Sequence, residues 1–359
     1  MIHRSWAEID LNKLNSNLKK IYSYSQKNIF AVIKADAYGH NAVLIGKFLD
    51  KKDEVKYLCV ATAEEGLELR KSNIKKNILV LGGILKEEIE IFNNFNLVPV
   101  ISDIEQLQLI PLLKNKKIHL KFDTGMHRLG FYEKDLSFIF GFLKKNKIEV
   151  EGLMSHLSSA DVDPDYTNFQ IQQFEKLLFK FEKENIKPEF IHIQNSAGIK
   201  YKCDFCNAVR IGISMYGEKP CDDFPLELET IMSLKSKIIS VKELKKDEKV
   251  SYCGTFKADR NMKIGVVSFG YADGLPRCLS NKGFLIINGK KVPIIGNITM
   301  DMTIVDITEN KNINIGDEVI IVGNSENNKI SFEEIAKICN TIPYEIMCGI
   351  SKRVYRKAI

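Results

Sequence analysis

The sequence predicts an α/β protein in which a (β/α)8 barrel is followed by a smaller, mostly β C-terminal domain. Two observations lead to this fold class. In the first 225 residues, apolar segments of strand length recur, and amphipathic helix patterns separate several of them. Beyond residue 225, shorter apolar segments recur roughly every ten residues between Gly, Asn and Lys turns, which is typical of an all-β domain. A chain of 359 residues is long enough for about two domains.

The predicted barrel strands are mostly apolar throughout rather than alternating, as expected for parallel strands that are covered on both faces. An open doubly wound sheet would share this pattern, but the count of eight strands favours the barrel. The strand segments cover residues 29–34, 57–62, 78–83, 98–102, 117–123, 149–156, 190–196 and 207–213. The predicted helices, which carry apolar residues at helical spacing, cover residues 63–71, 86–95, 103–113 and 170–185.

The predicted β domain contains one helix near its end. This helix, SFEEIAKICN (331–340), begins with Ser331 as N-cap and has a glutamate three residues later, which is the pattern of a capping box. The predicted domains are therefore residues 1–225, the barrel, and residues 226–359, the β domain. The β segments of the second domain cover residues 232–244, 263–272, 282–289, 290–296, 302–307 and 317–323.

Charge and hydropathy exclude several classes of partner. The chain has 52 Lys and Arg against 46 Asp and Glu, a net charge of +6, and its lysine pairs are scattered among acidic residues. A nucleic-acid surface needs a basic face, so we predict no nucleic-acid partner. No apolar run approaches the length of about eighteen residues that a membrane span needs, so we predict no membrane partner.

The cysteines and the N-terminus predict a cytoplasmic protein. The N-terminal segment is charged and has no apolar core of a signal peptide. Eight cysteines in a chain of this length do not suggest a secreted disulfide framework. Cys203 and Cys206 form a CxxC pair, but no second pair completes a zinc site, so we expect no metal and reduced thiols.

Reactive groups of a barrel enzyme collect where the strands end, at the C-terminal face. Polar residues follow most of the predicted strands, and a glycine turn after the last strand is a place where a phosphate commonly binds. Ser196, at the end of the preceding strand, could donate to the same phosphate. The residues at the strand ends are Lys34, Gly82, Gly83, Lys121, Asp123, His156, Asn195, Ser196, Arg210 and Gly212.

Lys34 has two interpretations from the pattern alone. Four apolar residues, Phe30 to Ile33, lead directly into this lysine. Its amine either extends from the strand end into solvent, or lies in a closed site where its pKa falls and it forms a Schiff base. The strand pattern does not decide between the two.

Nine motifs in order resemble the alanine racemase family and span both domains. AVIKADAYGH (31–40) is similar to the family's pyridoxal-phosphate attachment segment, and KFDTGMHRLGF (121–131) is similar to its second signature. The others are MSHLSSAD (154–161), QNSAG (194–198), VRIGISMYG (209–217), VSYCGTF (250–256), GYADGLPR (270–277), GNITMDM (296–302) and TIPYEI (341–346). A set of nine motifs in family order is a specific signal.

The resemblance implies an alanine racemase with pyridoxal 5'-phosphate as cofactor. Lys34 would hold the cofactor as an internal aldimine, and the substrate would replace it in an external aldimine. Lys34 and Tyr252 would then act as bases on opposite faces of the substrate Cα and interconvert L-alanine and D-alanine. The product D-alanine would serve peptidoglycan precursors, and the enzyme would be a head-to-tail homodimer in which one chain supplies Tyr252 to the other.

The resemblance also assigns the remaining site residues. Arg210 would face the pyridine nitrogen and disfavour its protonation, and a chain through His156 would link it to Tyr252. Lys121 matches a lysine that is carbamylated in several members, and a carbamate could orient Arg128. The phosphate would be bound by Tyr38, Ser196, the backbone N–H groups of Gly212 and Ile213, and Tyr344, with Asn195 beside them. Arg128 and the Met300 N–H would bind the substrate carboxylate, and Tyr271 and Arg277 would line the entrance.

Three positions depart from the family pattern, and one alternative function stays open while two others fit the sequence less well. Asn41 and His127 stand where many members have glycine, and Asn297 stands on the access corridor where many have arginine. A racemase for serine or a broader set of amino acids is the nearest alternative. A non-catalytic pyridoxal-phosphate carrier would lack the β domain, and related decarboxylases would place an acidic residue at the position of Arg210.

Overall fold

The chain begins with a short strand, β1 (Trp6–Ile9), and continues into the barrel. The computed structural model describes residues 3–310 and 312–359. Neighbouring barrel strands are parallel and follow the order β8-β7-β6-β5-β4-β3-β2-β9. Their bounds are β2 (Asn28–Val32), β3 (Val55–Val60), β4 (Asn77–Val80), β5 (Val98–Ile101), β6 (Lys117–Lys121), β7 (Glu149–Met154), β8 (Phe190–His192) and β9 (Ala208–Ile211).

Hydrogen bonds between the segments around β8 and β9 complete a nearly closed barrel. The Asn207 N–H donates to the Ile191 carbonyl oxygen at 3.1 Å, and the Arg210 N–H donates to the Gln194 carbonyl oxygen at 3.0 Å. Each of the eight predicted strand segments overlaps one of these strands, so the predicted barrel is confirmed. Every predicted segment extends beyond the observed C-terminal end of its strand. The polar residues at these positions lie after the last residue of the strand.

The helices pack outside the barrel and beside the second sheet. The prediction for residues 63–71 matches α4, while α8 begins at Pro164 because Asp163 accepts from the Tyr166 N–H at 2.9 Å and caps it. No helix in the described part of the chain is long and apolar enough to cross a membrane. The helices are α1 (Leu11–Ser25), α2 (Lys34–Gly39), α3 (Ala42–Leu49), α4 (Ala63–Lys71), α5 (Ile89–Phe95), α6 (Ile104–Leu109), α7 (Leu136–Asn146), α8 (Pro164–Lys183), α9 (Phe332–Cys339) and α10 (Pro343–Cys348).

A second, largely antiparallel sheet forms the C-terminal domain, as predicted. Its long central strand pairs with three others, and the predicted N-cap Ser331 accepts from the Glu334 N–H at 3.0 Å at the start of α9. The strands of this sheet within the domain are β10 (Met232–Leu244), β13 (Met262–Val267), β14 (Phe284–Ile287), β15 (Lys290–Pro293), β16 (Thr303–Asp306), β17 (Glu318–Asn324), β18 (Lys329–Ile330) and β19 (Tyr355–Ala358). β11 (Lys249–Val250) and β12 (Phe256–Lys257) form a separate two-stranded sheet.

The N-terminal strand lies in the sheet of the C-terminal domain. β1 pairs antiparallel with β10, with Trp6 opposite Lys235, and parallel with β19, with Trp6 opposite Tyr355. The sequence analysis placed this strand within residues 1–225 of the barrel domain. Its alternating side chains, with Ala7 and Ile9 buried, suit a sheet that is covered on one face.

Cys278 and Cys339 form a disulfide across 61 residues of sequence, so the expectation of reduced thiols is wrong for this pair. Cys278 lies in a short 3-10 helix after Pro276, and Cys339 is the last residue of α9. The fold brings their Cα atoms within 5.5 Å, a separation that suits a disulfide. Their distance in sequence carried no sign of this contact.

Candidate active site

Most of the predicted site residues line one cavity at the C-terminal ends of the barrel strands. The cavity has a volume of about 620 Å³, and its position is the usual one for a barrel enzyme. Tyr344 reaches it from α10, so the C-terminal part of the chain returns to the barrel to complete the lining. The predicted residues in the lining are Lys34, Tyr38, Lys121, Arg128, His156, Asn195, Ser196, Arg210, Gly212, Ile213 and Tyr344.

A left-handed turn follows Lys34 and places both Lys34 and Tyr38 on the cavity. Residues 35–38 have φ angles of 52° to 54°, although none of them is glycine. The left-handed conformation costs roughly 1–2 kcal/mol per residue, so surrounding contacts must stabilise it. The Glu65 carboxylate accepts from the Ala35 N–H at 2.7 Å, and the Asp36 carboxylate accepts from the Ala42 N–H at 2.7 Å.

Hydroxyl and N–H donors form one end of the cavity. The Gly212 N–H donates to Ser196 Oγ at 3.1 Å, and a Cβ on Gly212 would collide with Tyr38 Oη. The Tyr38 and Tyr344 rings lie 5.8 Å apart, and burial raises the pKa of both hydroxyls, which therefore stay protonated donors. A 3-10 turn that begins at Ile213 follows. This donor set suits a phosphate group.

Arg210 is buried at the end of β9 and donates in several directions. Its Nη1 donates to His192 Nδ1 at 2.6 Å, and its Nη2 donates to the Ser155 carbonyl oxygen at 2.6 Å and to His156 Nδ1 at 3.0 Å. Burial lowers the pKa of Arg210 to about 10. Burial and the positive charge of Arg210 lower the pKa of His156 well below its usual range. Because a guanidinium only donates, neutral His156 carries its proton on Nε2.

Lys121 and Arg128 bring two further cations to the cavity. Burial, and then the charges of Arg210 and Arg128, lower the pKa of Lys121 to about 8. The neutral amine form of Lys121 is therefore easier to reach than that of an exposed lysine. Arg128 follows a turn in which the Asp123 carboxylate accepts from three backbone N–H groups, those of residues 125, 126 and 127.

Four residues predicted from the β domain, unlike Tyr344, are not part of the cavity lining. Tyr252 is 73% exposed in a short turn, Met300 is 53% exposed, and Tyr271 and Arg277 are exposed as well. A single chain therefore brings Lys34 and Arg210 together but leaves Tyr252 at the surface.

Two protein-family models, one for each domain, match this chain. The model described as alanine racemase, N-terminal domain, matches residues 9–220, and the model described as alanine racemase, C-terminal domain, matches residues 231–358. The chain belongs to the alanine racemase family. Members of this family are pyridoxal-phosphate-dependent racemases, so the predicted family and the predicted class of isomerase are confirmed.

Similar alanine racemases cover essentially the whole chain. An alanine racemase from Aquifex aeolicus (strain VF5) is 44% identical over 99% of both chains, and one from Aquifex pyrophilus is 45% identical over 100% of this chain and 99% of its own. A crystal structure of alanine racemase from Bacillus anthracis with bound L-Ala-P is 33% identical, with a TM-score of 0.92 over 100% of this chain and 96% of that one. The alanine racemase from Bartonella henselae with covalently bound pyridoxal phosphate is 28% identical, with a TM-score of 0.89 over 100% of both chains.

Two residues that were not predicted as site residues, Glu65 and His192, contact residues of the candidate site. Glu65 was part of a predicted helix surface, yet it accepts from the Ala35 and Ala61 N–H groups beside the lysine turn. His192 lay within a predicted strand, FIHIQNS, yet it accepts from Arg210. A histidine in an apolar strand and an acidic residue near a helix start were the available signals, and both fit ordinary structural roles.

Proposed function

We propose that this protein interconverts L-alanine and D-alanine with pyridoxal 5'-phosphate as cofactor, in the cytoplasm, and supplies D-alanine for peptidoglycan precursors. The main support is one cavity that combines the Lys34 amine, the donors around Gly212 and the buried cation of Arg210. The full-length similarity to proteins named alanine racemase supports the choice of substrate.

The lining residues suit pyridoxal 5'-phosphate. The hydroxyl groups of Tyr38, Ser196 and Tyr344 and the N–H groups of Gly212 and Ile213 would hold its phosphate, with Asn195 beside them. Lys34 Nζ would bond to its aldehyde carbon, and Arg210 would face its ring nitrogen. When bound, the cofactor supplies an electron-withdrawing ring that makes the substrate Cα–H acidic.

We propose that Lys34 Nζ moves the Cα proton on one face and that Tyr252 Oη of the partner subunit moves it on the other. Tyr252 is exposed on the β domain of its own chain, away from the cavity. A head-to-tail dimer with twofold symmetry would give two equivalent composite sites. In such a site, the His156 Nε2–H, on the side opposite Arg210 Nη2, would donate to Tyr252 Oη and stabilise the phenolate form that accepts the Cα proton.

The carboxylate of the substrate requires cationic or N–H donors. Arg128, with its planar guanidinium, and the Met300 N–H of the β domain are the proposed partners. Lys121 is the proposed site of carbamylation, since its neutral amine can add to carbon dioxide and the resulting anion would face Arg128 in place of a repelling cation. Tyr271 and Arg277 would line the entrance.

A racemase for serine or a broader set of amino acids is the second candidate, and a substrate panel separates the two. Purified protein with pyridoxal 5'-phosphate is incubated with L-alanine, L-serine, L-lysine and L-glutamate, and the D-enantiomers are measured by chiral chromatography. We expect D-alanine to form fastest by at least about tenfold. A preparation that carries the cofactor but does not racemise alanine would overturn the proposal: racemisation of another amino acid in the panel would favour the second candidate, and no racemisation of any of them would leave a non-catalytic carrier as the interpretation.

A further inference from the structure

A chain of buried polar side chains runs through the barrel from Arg210 to Glu151. Arg210 Nη1 donates to His192 Nδ1 at 2.6 Å, His192 Nε2 lies 2.9 Å from His119 Nδ1, and His119 Nε2 lies 3.6 Å from Glu151 Oε2. All four side chains are at most 4% exposed. They come from β9, β8, β6 and β7, so the chain connects four strands across the interior.

The chemistry of these groups fixes the direction of the two hydrogen bonds, from Arg210 to His192 and from His192 to His119. His119 Nε2 then faces Glu151 at 3.6 Å. A guanidinium only donates, so His192 Nδ1 accepts, and neutral His192 carries its proton on Nε2. This N–H then donates to His119 Nδ1, which leaves the His119 proton on Nε2, facing the Glu151 carboxylate. Burial lowers the pKa of both histidines, in agreement with neutral imidazoles. The chain is therefore polarised in one direction, from a cation to an anion.

Glu151 is built to remain an anion at the far end. Burial opposes its ionisation, but the nearby His119 ring and the hydrogen bonds from Tyr57 and Lys117 lower the pKa of its carboxyl to about 2. Tyr57 Oη donates to Glu151 Oε2, and Lys117 Nζ lies 3.0 Å from Glu151 Oε1. The Lys117 side chain is 43% exposed, so the series of polar side chains reaches solvent at Lys117, on the side of the barrel away from the cavity.

The buried polar side chains from Arg210 to Glu151 require space inside the barrel, and burying them costs free energy. A Cβ on Gly152 would overlap the His119 imidazole, so the strand next to His119 needs a glycine there. Polar groups buried in a barrel core cost free energy, and apolar residues of similar volume would fill the space more cheaply. In the described part of the chain, the hydrogen-bond partners of Arg210 are neutral groups. Among these contacts, Arg210 is connected to the Glu151 carboxylate through His192 and His119.

We propose that Glu151 is a positioning residue of the active site, which acts through His119 and His192 to hold the Arg210 guanidinium in a single orientation. Without an acceptor at residue 151, His119 could carry its proton on Nδ1, where it would oppose the His192 N–H. The two N–H groups, on His119 Nδ1 and His192 Nε2, would then repel each other. A rearrangement of the His192 ring that removed this repulsion would disturb the hydrogen bond from Arg210 Nη1 to His192 Nδ1. The proposal rests on the proposed function only in the statement that Arg210 acts on the cofactor.

Histidine tautomers give a direct test in the full-length protein. The chain has six histidines, so a long-range ¹H–¹⁵N correlation spectrum of ¹⁵N-histidine-labelled protein is simple enough to assign with single His119→Gln and His192→Gln variants. We expect both His119 and His192 of the parent protein to be neutral and protonated on Nε2. A doubly protonated form, or a His119 proton on Nδ1, would overturn the proposal without any variant at residue 151 and without any measurement of activity.

Variants at residue 151 then test the link to the active site. Glu151→Leu removes the acceptor, and we expect the His119 signals to report a mixture of tautomers and kcat/KM to fall between about tenfold and a hundredfold. Glu151→Gln keeps an acceptor oxygen, and we expect it to retain the tautomer and most of the activity. Lys117→Gln is the matched control, because it removes another partner of the same carboxylate and should change neither.

The outcomes separate this proposal from the proposed function. If Glu151→Leu folds and leaves the tautomers and kcat/KM unchanged, Glu151 does not position Arg210. If it does not fold, Glu151→Gln decides, and a loss of activity as large as that of an Arg210→Gln variant with unchanged tautomers would overturn the positioning role. If the parent protein does not racemise alanine, the tautomers still test the hydrogen-bond chain.

Discussion

The Asn297 side-chain amide donates a hydrogen bond to the Tyr252 carbonyl oxygen at 2.8 Å. In return, Ser251 Oγ donates to the Asn297 carbonyl oxygen at 2.6 Å. The turn that carries Tyr252 contains left-handed residues, Ser251 with φ of 60° and Cys253 with φ of 62°, so it needs such contacts to keep its shape. Asn297 is one of the departures from the family pattern, and its contact with this turn connects it to the proposed second base.

Loss of the Asn297 amide should reduce activity through Tyr252. In Asn297→Ala, the Tyr252 carbonyl loses its donor at a cost of about 1 kcal/mol, which corresponds to a decrease in kcat/KM of roughly fivefold to tenfold if the turn shifts in proportion. The measurement is the racemisation rate of L-alanine and D-alanine. Asn94→Ala, at an exposed position on α5, is the control. Equal rates in the two variants would show that the hydrogen bond does not support the reaction.

Reduction with borohydride should attach the cofactor to Lys34. A Schiff base between pyridoxal phosphate and an amine becomes a stable secondary amine on reduction, so the modified peptide identifies the lysine. We expect the adduct on a peptide containing Lys34, together with loss of the visible absorption band. Lys121 lines the same cavity and has a partly neutral amine, which makes it the internal control. An adduct on Lys121 in the unaltered protein would refute the assignment of Lys34.

Carbamylation of Lys121 should depend on pH in a defined direction. Burial lowers the pKa of Lys121 to about 8 in the folded protein, below the roughly 10.4 of an exposed lysine. Between these values the unfolded chain binds the extra proton, so the stability contributed by this group rises as the pH increases through the window. Over the same range the fraction of reactive neutral amine grows.

A ¹³C-labelled bicarbonate experiment checks this prediction. We expect a protein-bound carbamate signal that strengthens as the pH rises through about 8 and disappears in Lys121→Met. Racemase activity should fall in buffer free of carbon dioxide and return when bicarbonate is added. Lys117→Met should keep the signal, because Lys117 lies beside Glu151 and its pKa is raised, mainly by that carboxylate. A signal that persists in Lys121→Met would exclude this site.

Glycine at position 127 should stabilise the protein. His127 has φ of 54°, and a left-handed residue other than glycine costs roughly 1–2 kcal/mol. Its ring lies 3.8 Å from the Asp123 carboxylate but is 70% exposed, so this ion pair adds little. We expect His127→Gly to raise the free energy of unfolding in urea by about 1 kcal/mol. Lys144→Gly, within right-handed α7, should instead lower it by about 1 kcal/mol, and a loss in both variants would contradict the argument.

The barrel and the β domain could be predicted because their signals are local. Parallel strands buried on both faces leave apolar runs, and the strand ends carry the polar groups that line the cavity. The left-handed turn after Lys34 could not be predicted, because Ala, Asp, Ala and Tyr have no local preference for positive φ. That conformation is imposed by tertiary contacts such as those of Glu65 and Asp36.

The partners of buried polar residues were likewise not visible in the sequence. His119 stands in the predicted strand KIHLKFD and Glu151 in EVEGLMSH, and the pattern indicates only that both segments are buried. Their contact depends on the register of β6 and β7, which places Gly152 opposite His119. The pairing of Cys278 with Cys339 depends in the same way on the packing of distant segments.

The last prediction concerns the composite site. Lys34 lines the cavity of the barrel, whereas Tyr252 is 73% exposed on the β domain. If two chains pair head to tail, each site takes Lys34 from one chain and Tyr252 from the other. Lys34→Ala and Tyr252→Phe should therefore each be nearly inactive, and Tyr252→Phe should impair proton removal from one enantiomer more than from the other.

Mixing the two inactive variants should restore activity, because a mixed dimer holds one intact site and one site that lacks both groups. Full statistical exchange makes half of the dimers mixed, so activity should approach roughly a quarter of that of the unaltered enzyme by site counting. Exchange is followed with an affinity tag on one variant, and Lys34→Ala mixed with the double variant Lys34→Ala, Tyr252→Phe is the control that can form no intact site. Recovery in the test mixture but not in the control requires that the two residues meet across an interface between chains. Demonstrated exchange without recovery would mean that Lys34 and Tyr252 do not act across the interface between chains.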